Sequence, residues 1–211
     1  YVLDGAMEHR DSIGNHGHLG PGSVQWMTAG HGIVHSEMPQ QEKGRMWGFQ
    51  LWVNLPAASK MIRPRYQDIA PGRVVEMAVD DAAVRLVAGE VDGRRGPVEG
   101  IVTAPEMLDV TLPPRGSMAR PLPATHNAFV YVVEGRVEIG GARTAVAAGQ
   151  LAVLGPGERL ALRSTGGARM LCLAGRPLGE PVARYGPFVM NTEAELRQAI
   201  DDYRAGRLVG G

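Results

Sequence analysis

Residues 131–140 read YVVEGRVEIG, and residues 1–10 read YVLDGAMEHR. Laid over each other, Tyr1, Val2, Gly5 and Glu8 match Tyr131, Val132, Gly135 and Glu138, while Leu3 and Asp4 meet the similar Val133 and Glu134. The likeness continues downstream. LGPGSVQWM (19–27) lies over VAAGQLAVL (146–154) once a hairpin shorter by three residues is allowed in the second copy. Two matches in the same order, about 130 residues apart, read as a duplicated domain. In each copy the pattern is short apolar-alternating runs broken by turn residues. VYVVEG, RVEIGG and TAVAAGQLAVLGPG punctuate strands with Gly-Gly and Gly-Pro-Gly, as in a small antiparallel barrel or sandwich.

Composition agrees with a chain that turns often. Gly (29) and Pro (15) exceed a fifth of the 211 residues, against about 12% in average usage. With 44% hydrophobic residues a sizeable core is available. The 22 basic and 22 acidic residues cancel, so no basic stripe for direct nucleic-acid binding is expected. No apolar run approaches the roughly 20 residues of a membrane span, and the start lacks the basic-then-apolar pattern of a secretory signal. A lone cysteine, Cys172, forbids an internal disulfide and fits a reducing compartment. A cytoplasmic location is expected, or a nuclear one in a eukaryote.

The second copy has a lead-in, residues 108–130, about two strands long, that the first lacks. Tyr1-Val2-Leu3 also reads as the middle of a strand. The expectation is that the first copy is missing its opening strands. The domain division read from the repeat is 1–96 for the first barrel, 97–191 for the second, and 192–211 for a C-terminal helix and tail. In NTEAELRQAIDDYRAG, Thr192 and Glu195 form a capping box. Leu196, Ala199, Ile200 and Tyr203 follow at helical spacing, and Gly206 suits the stop.

The chemistry-bearing candidates are the histidines and their neighbours. In GHGIVHSEMP (30–39), His35 and Glu37 stand at i and i+2, which on a strand puts both on one face. Imidazole plus carboxylate suits divalent iron, manganese, nickel or zinc. His16 and His18 form a His-x-His beside Asn15, Gly17 and Gly20, which reads as a solvated hairpin tip. His9 ends a strand, where a structural hydrogen bond is expected rather than ligation. His31 sits in a Gly-flanked turn and could line a cavity mouth, and His126 has no companion ligand. Cys172, in the apolar RMLCLAG, reads as inert core. There is no G-x-S-x-G elbow and no Lys-Ser/Thr phosphate loop. Trp26, Met27, Phe49 and Trp52 are candidate cavity or core residues.

YVLDGAMEHRDSIGN, GPGSVQWMTAGHGIVHSEMP, FQLWVNLP (49–56), HNAFVYVVEG and YGPFVMNT (185–192) together resemble the pirins, over nearly the whole chain. The resemblance implies an all-β fold of two tandem cupin (double-stranded β-helix) barrels with a short C-terminal helix, the first barrel bearing Fe(II) and the second empty. It implies three His and one Glu as ligands. His35 and Glu37 would be two of them, and the other two would precede Tyr1, so this 211-residue chain is expected to bind iron weakly. In the second copy the equivalents of the absent His pair are Pro121 and Pro123, and His35 and Glu37 map near Ala161 and Arg163. The implied function is an iron-dependent quercetin-like flavonol 2,3-dioxygenase in which Glu37 is also the catalytic base. The alternative is a non-catalytic, iron-sensing co-regulator with a protein partner.

Overall fold

Glu106–Leu112, EMLDVTL, shows how the strands are written into the chain. Leu108, Val110 and Leu112 are almost wholly buried, so every second side chain faces one core, as the two-residue strand period requires. The same alternation puts Val130 and Val132 of Asn127–Ile139, and Met170 and Cys172 of Ala168–Gly175, into that cluster. Each such side chain contributes roughly 1.5–3 kcal/mol by leaving water.

The computed structural model describes residues 1–40 and 43–209. It is mainly β, with one α-helix, Glu193–Arg204, among the described residues. The chain forms two compact units, residues 1–71 with 178–211, and residues 72–177. This division differs from the boundary expected at 96/97. Val75–Val79 pairs with Ala82–Ala88, which pairs with Glu106–Leu112, so these strands belong to the second barrel's sheet. Residues 178–211 join the first unit, where Ala57 N–H donates to Glu180 Oε2 (2.7 Å).

In the second unit the strand order is Ser117–Pro121, Arg159–Arg163, Asn127–Ile139, Ala168–Gly175, Glu106–Leu112, Ala82–Ala88, Val75–Val79. Thr144–Ala147 and Leu151–Val153 also pair with the long Asn127–Ile139. In the first unit Met7–Asp11 lies between His16–Leu19 and His35–Pro39, Val24–Thr28 pairs with Arg65–Ile69, and Val2–Asp4 pairs with Trp47–Gly48.

The two units repeat each other in detail. Val2 N–H donates to Ser23 O (3.0 Å) and Gly22 N–H to Val2 O (2.8 Å). In the second copy Val132 N–H donates to Gln150 O (3.0 Å) and Gly149 N–H to Val132 O (2.8 Å). Gly5 and Gly135, aligned in sequence, both have left-handed φ, +82° and +73°. A Cβ at Gly5 would stand 2.6 Å from Arg45 O, and one at Gly135 would collide with Gly167 O, so both backbones demand glycine. The pairing also fixes the site's register. His9 faces Glu37, and its equivalent Ile139 faces Leu162. Glu37 therefore corresponds to Leu162 and His35 to Leu160. This corrects the expected Ala161 and Arg163 by one residue, because sequence overlay could not see the strand register.

The helix is as expected. Thr192 Oγ1 accepts from Glu195 N–H, the Glu195 carboxylate accepts from Thr192 N–H, and Gly206 takes φ +70° past the end. Leu196 is its buried residue, while Tyr203 is half-exposed and meets Phe188 edge-on. Trp26, Met27 and Phe49 are half-buried, but Trp52 is not core. It is 52% exposed with the Arg184 guanidinium over its ring.

Candidate metal centre

His35–Pro39 runs antiparallel to Met7–Asp11, with His9 opposite Glu37 and Asp11 opposite His35. Directly opposed residues on one face of a sheet bring their side chains into contact. His9, Asp11, His35 and Glu37 are thus gathered by register, with Gln25 from Val24–Thr28 and Tyr66 from Arg65–Ile69 beside them.

His35 Nδ1 lies 3.7 Å from Glu37 Oε1, and both side chains are about a quarter exposed (28% and 26%). His9, His35 and Glu37 each place one donor atom within 4.8 Å of the others. The His9 and His35 ring centroids are 5.6 Å apart. His9 is wholly buried and stacks on Tyr66 at 4.7 Å with an interplanar angle of 14°. Its Nε2 lies 3.3 Å from Asp11 Oδ2, and its Nδ1 lies 2.9 Å from Gln25 Nε2. The same amide nitrogen reaches Glu37 Oε1 at 3.3 Å.

Burial would by itself push the Asp11 carboxyl up, but donors from the Asn15 side chain and backbone, His9 and Ile13 N–H outweigh it and hold the group below its ordinary range. Burial pushes the Tyr66 phenol up to about 12, with the carboxylates of Asp68, Asp11 and Glu37 adding to the effect. Tyr66 stays protonated at neutral pH.

The imidazole of His35 and the carboxylate of Glu37 suit a divalent transition metal on the side open to solvent, with the buried His9 imidazole within 4.8 Å of both. Gln25 Oε1 and the Tyr66 hydroxyl are buried with no hydrogen-bond partner among the described residues, so the pocket holds polar groups that the protein alone does not satisfy.

The other histidines lie elsewhere. His16 and His18 are exposed on His16–Leu19, and His16 Nε2 sits 3.5 Å from Glu8 Oε2. They are on the strand rather than at the hairpin tip. His31 lines a cavity of about 340 Å³ with Ser12, Ile13, Arg63, Pro64 and Val209. Cys172 is buried, and its thiol is raised to about 12 by burial first, with Arg120 opposing and Asp109 adding. It carries no chemistry. Sequence reading took His9 as a structural histidine and overlooked Asp11, Gln25 and Tyr66. The parity rule that links His35 to Glu37 also links His9 to Asp11, and Gln25 is the polar residue in the otherwise apolar VQWM.

A model of the pirin family matches residues 1–53, and one for the pirin C-terminal cupin domain matches residues 107–209. A Pseudomonas aeruginosa protein provisionally named a quercetin 2,3-dioxygenase is 48% identical over 99% of this chain and 75% of its own length. The chain belongs to the pirin family. Among solved structures, a quercetin 2,3-dioxygenase from Acinetobacter baumannii superposes with a TM-score of 0.92 at 34% identity, covering 98% of this pirin and 74% of that chain. A bacterial pirin from Escherichia coli, solved in complex with nickel(II), superposes at 0.66 with 26% identity, covering 84% and 70%. This pirin thus spans about three quarters of the relatives it matches. No helix among its described residues is long and apolar enough to cross a membrane.

Proposed function

We propose that this pirin holds a divalent iron through His35 and Glu37 in its first barrel and oxygenates a flavonol-like substrate of the quercetin class. The observation that supports this reading best is the convergence of His35, Glu37 and His9 on one solvent-facing spot. Relatives named for quercetin 2,3-dioxygenase activity, provisionally in Pseudomonas aeruginosa and in a solved structure from Acinetobacter baumannii, support the same reading. When bound, the metal would supply Lewis-acid chemistry toward an ionised hydroxyl of the substrate and redox chemistry toward dioxygen.

The chain's own residues do the rest. His35 and Glu37 bind the ion from adjacent positions of one strand face. Glu37 also has a proton to move. Its Oε1 accepts from Gln25, whereas Oε2 has no hydrogen bond among the described residues. Oε2 is the atom that would take the proton of the substrate's ring hydroxyl, a base role suited to a carboxylate within hydrogen-bond reach. His9 and Tyr66 form the flat, dry wall behind the site.

The second barrel is read as structural. The counterparts of His9, His35 and Glu37 there are Ile139, Leu160 and Leu162, all buried and apolar.

The test loads the 211-residue chain with ferrous iron, beside a form lengthened upstream by a strand carrying His-x-His, and measures oxygen uptake with quercetin. Turnover that is lost in His35→Ala and Glu37→Ala supports the reading, and higher turnover in the lengthened form supports a four-ligand set. Turnover untouched by Glu37→Ala would remove Glu37 from both roles.

A further inference from the structure

His9 is the most buried polar residue of the site, and neither of its ring nitrogens is free. Nε2 faces Asp11 Oδ2, and an ionised carboxylate only accepts. Nδ1 faces Gln25 Nε2, and an amide nitrogen only donates. These two partners admit one tautomer, with the proton on Nε2 and the lone pair on Nδ1. The Gln25 amide has a second N–H, and it points to Glu37 Oε1. The amide cannot be turned over without setting a carbonyl oxygen against a carboxylate. The result is a directed chain. Asp11 accepts from His9, His9 accepts from Gln25, and Gln25 donates to Glu37. Its far end is anchored, because Asp11 also accepts from Asn15 Nδ2 (2.8 Å) and from the N–H groups of Asn15 (2.9 Å) and Ile13 (3.1 Å).

The fold does not need this chain. By the repeat, His9, Gln25 and Glu37 correspond to Ile139, Ala152 and Leu162, and the second copy builds the same pairing with those apolar residues. Hydrogen-bonded polar groups that the barrel can replace with hydrocarbon, and that end on a candidate ligand, are there for the ligand.

We propose that Gln25 and His9 are positioning residues that fix the Glu37 carboxylate for the metal, with His9 a strut rather than a ligand. The inference rests on the reading of Glu37 as a ligand. For His9 itself to coordinate, its Nδ1 would have to release Gln25 or its Nε2 release Asp11, and its stacking on Tyr66 holds the ring where it is. Gln25 on Oε1 fixes the rotation of the Glu37 carboxylate, whose Oε1 stands 3.7 Å from His35 Nδ1.

The experiment uses the 211-residue chain with Co(II) as the probe. The variants are Gln25→Leu, Gln25→Glu, His9→Phe, Glu37→Gln and the double Gln25→Leu/Glu37→Gln, each confirmed as folded by circular dichroism. Nitrogen-15 NMR of the metal-free chain should show the His9 proton on Nε2, with the Nδ1 resonance moving in Gln25→Leu. A proton on Nδ1 in the parent chain overturns the inference without any metal. Competition against a chelator should show Co(II) affinity falling about ten- to hundredfold in both Gln25 variants and in His9→Phe, as for other outer-shell partners, with a changed visible spectrum. The double variant should bind no more weakly than Glu37→Gln, since Gln25 acts through Glu37. If Glu37→Gln loses the metal while Gln25→Leu keeps parental affinity and spectrum, the ligand reading stands and this inference falls. If Glu37→Gln binds like the parent, or the parent takes up no Co(II), both fall together.

Discussion

Asp11 shows how one side chain can set both the stability and the acid response of a site. Its carboxylate accepts from Asn15, His9 and Ile13 and is held below the 3.8 of a free aspartate despite its burial. A carboxyl with a depressed folded-state pKa contributes stability that is complete above its unfolded value and is lost as pH falls through the folded one. The first unit should therefore weaken on acidification below about pH 4. Asp11→Asn should cost about 1–3 kcal/mol at neutral pH, by loss of charge-assisted bonds, and should flatten the acid limb of thermal midpoint against pH. The depressed carboxyls Glu8, Glu195 and Asp202 keep some of that limb in place. An Asp11→Asn profile parallel to the parent's would show that this carboxyl is not coupled to folding. At Cys172 the expectation is kinetic. A thiol raised to about 12 inside the second core should resist alkylation at about pH 8 in the native chain and react once denatured, since the thiolate is the nucleophile. Labelling of the native chain at the denatured rate would contradict the burial.

At the scale of elements, the helix was the easiest to read and is the easiest to test. Thr192 and Glu195 satisfy each other's backbone N–H groups, so Thr192→Ala should cost about 1 kcal/mol, seen as a lower denaturation midpoint with an unchanged denaturant slope. Strands were legible where period-two alternation and turn glycines are strong, as in Asn127–Ile139. Their partners were not. The one-residue error that put Ala161 and Arg163 where Leu160 and Leu162 belong is the characteristic failure, because a register slip flips every side chain and sequence overlay carries no hydrogen bonds. The division between units was hidden for a similar reason. Nothing in residues 72–96 says that Val75–Val79 and Ala82–Ala88 will pair with Glu106–Leu112. Trp52 was misread because a large aromatic in an apolar run carries no mark of exposure. At the site, His35 and Glu37 were legible through local spacing. His9 became a neighbour of both only through cross-strand pairing, and Gln25 only through packing between strands.

For the whole molecule, the duplication is a control experiment built into one chain. The two copies share the Val2/Val132 and Gly22/Gly149 hydrogen bonds and the left-handed Gly5/Gly135, yet differ at every position of the site. Where the first has His9, Gln25, His35 and Glu37, the second has Ile139, Ala152, Leu160 and Leu162. Buried hydrogen-bonded groups must offset their desolvation before they stabilise anything, and replacing a whole network by packed apolar side chains is often neutral or stabilising by about 1–4 kcal/mol. Removing only one member is costly, because it strands the others without partners. The fourfold variant His9→Ile, Gln25→Ala, His35→Leu, Glu37→Leu removes every member but Asp11, which still accepts from Asn15 and Ile13. It should therefore fold, with a thermal midpoint above that of His9→Ile alone, and should take up no Co(II). His9→Ile alone should lower the midpoint, since Asp11 and Gln25 each lose a partner. Thermal melts and metal analysis of the parent, single and fourfold forms decide it. A fourfold variant less stable than the single one would mean that the polar network holds the first barrel together, and that the second copy's apolar solution does not transfer.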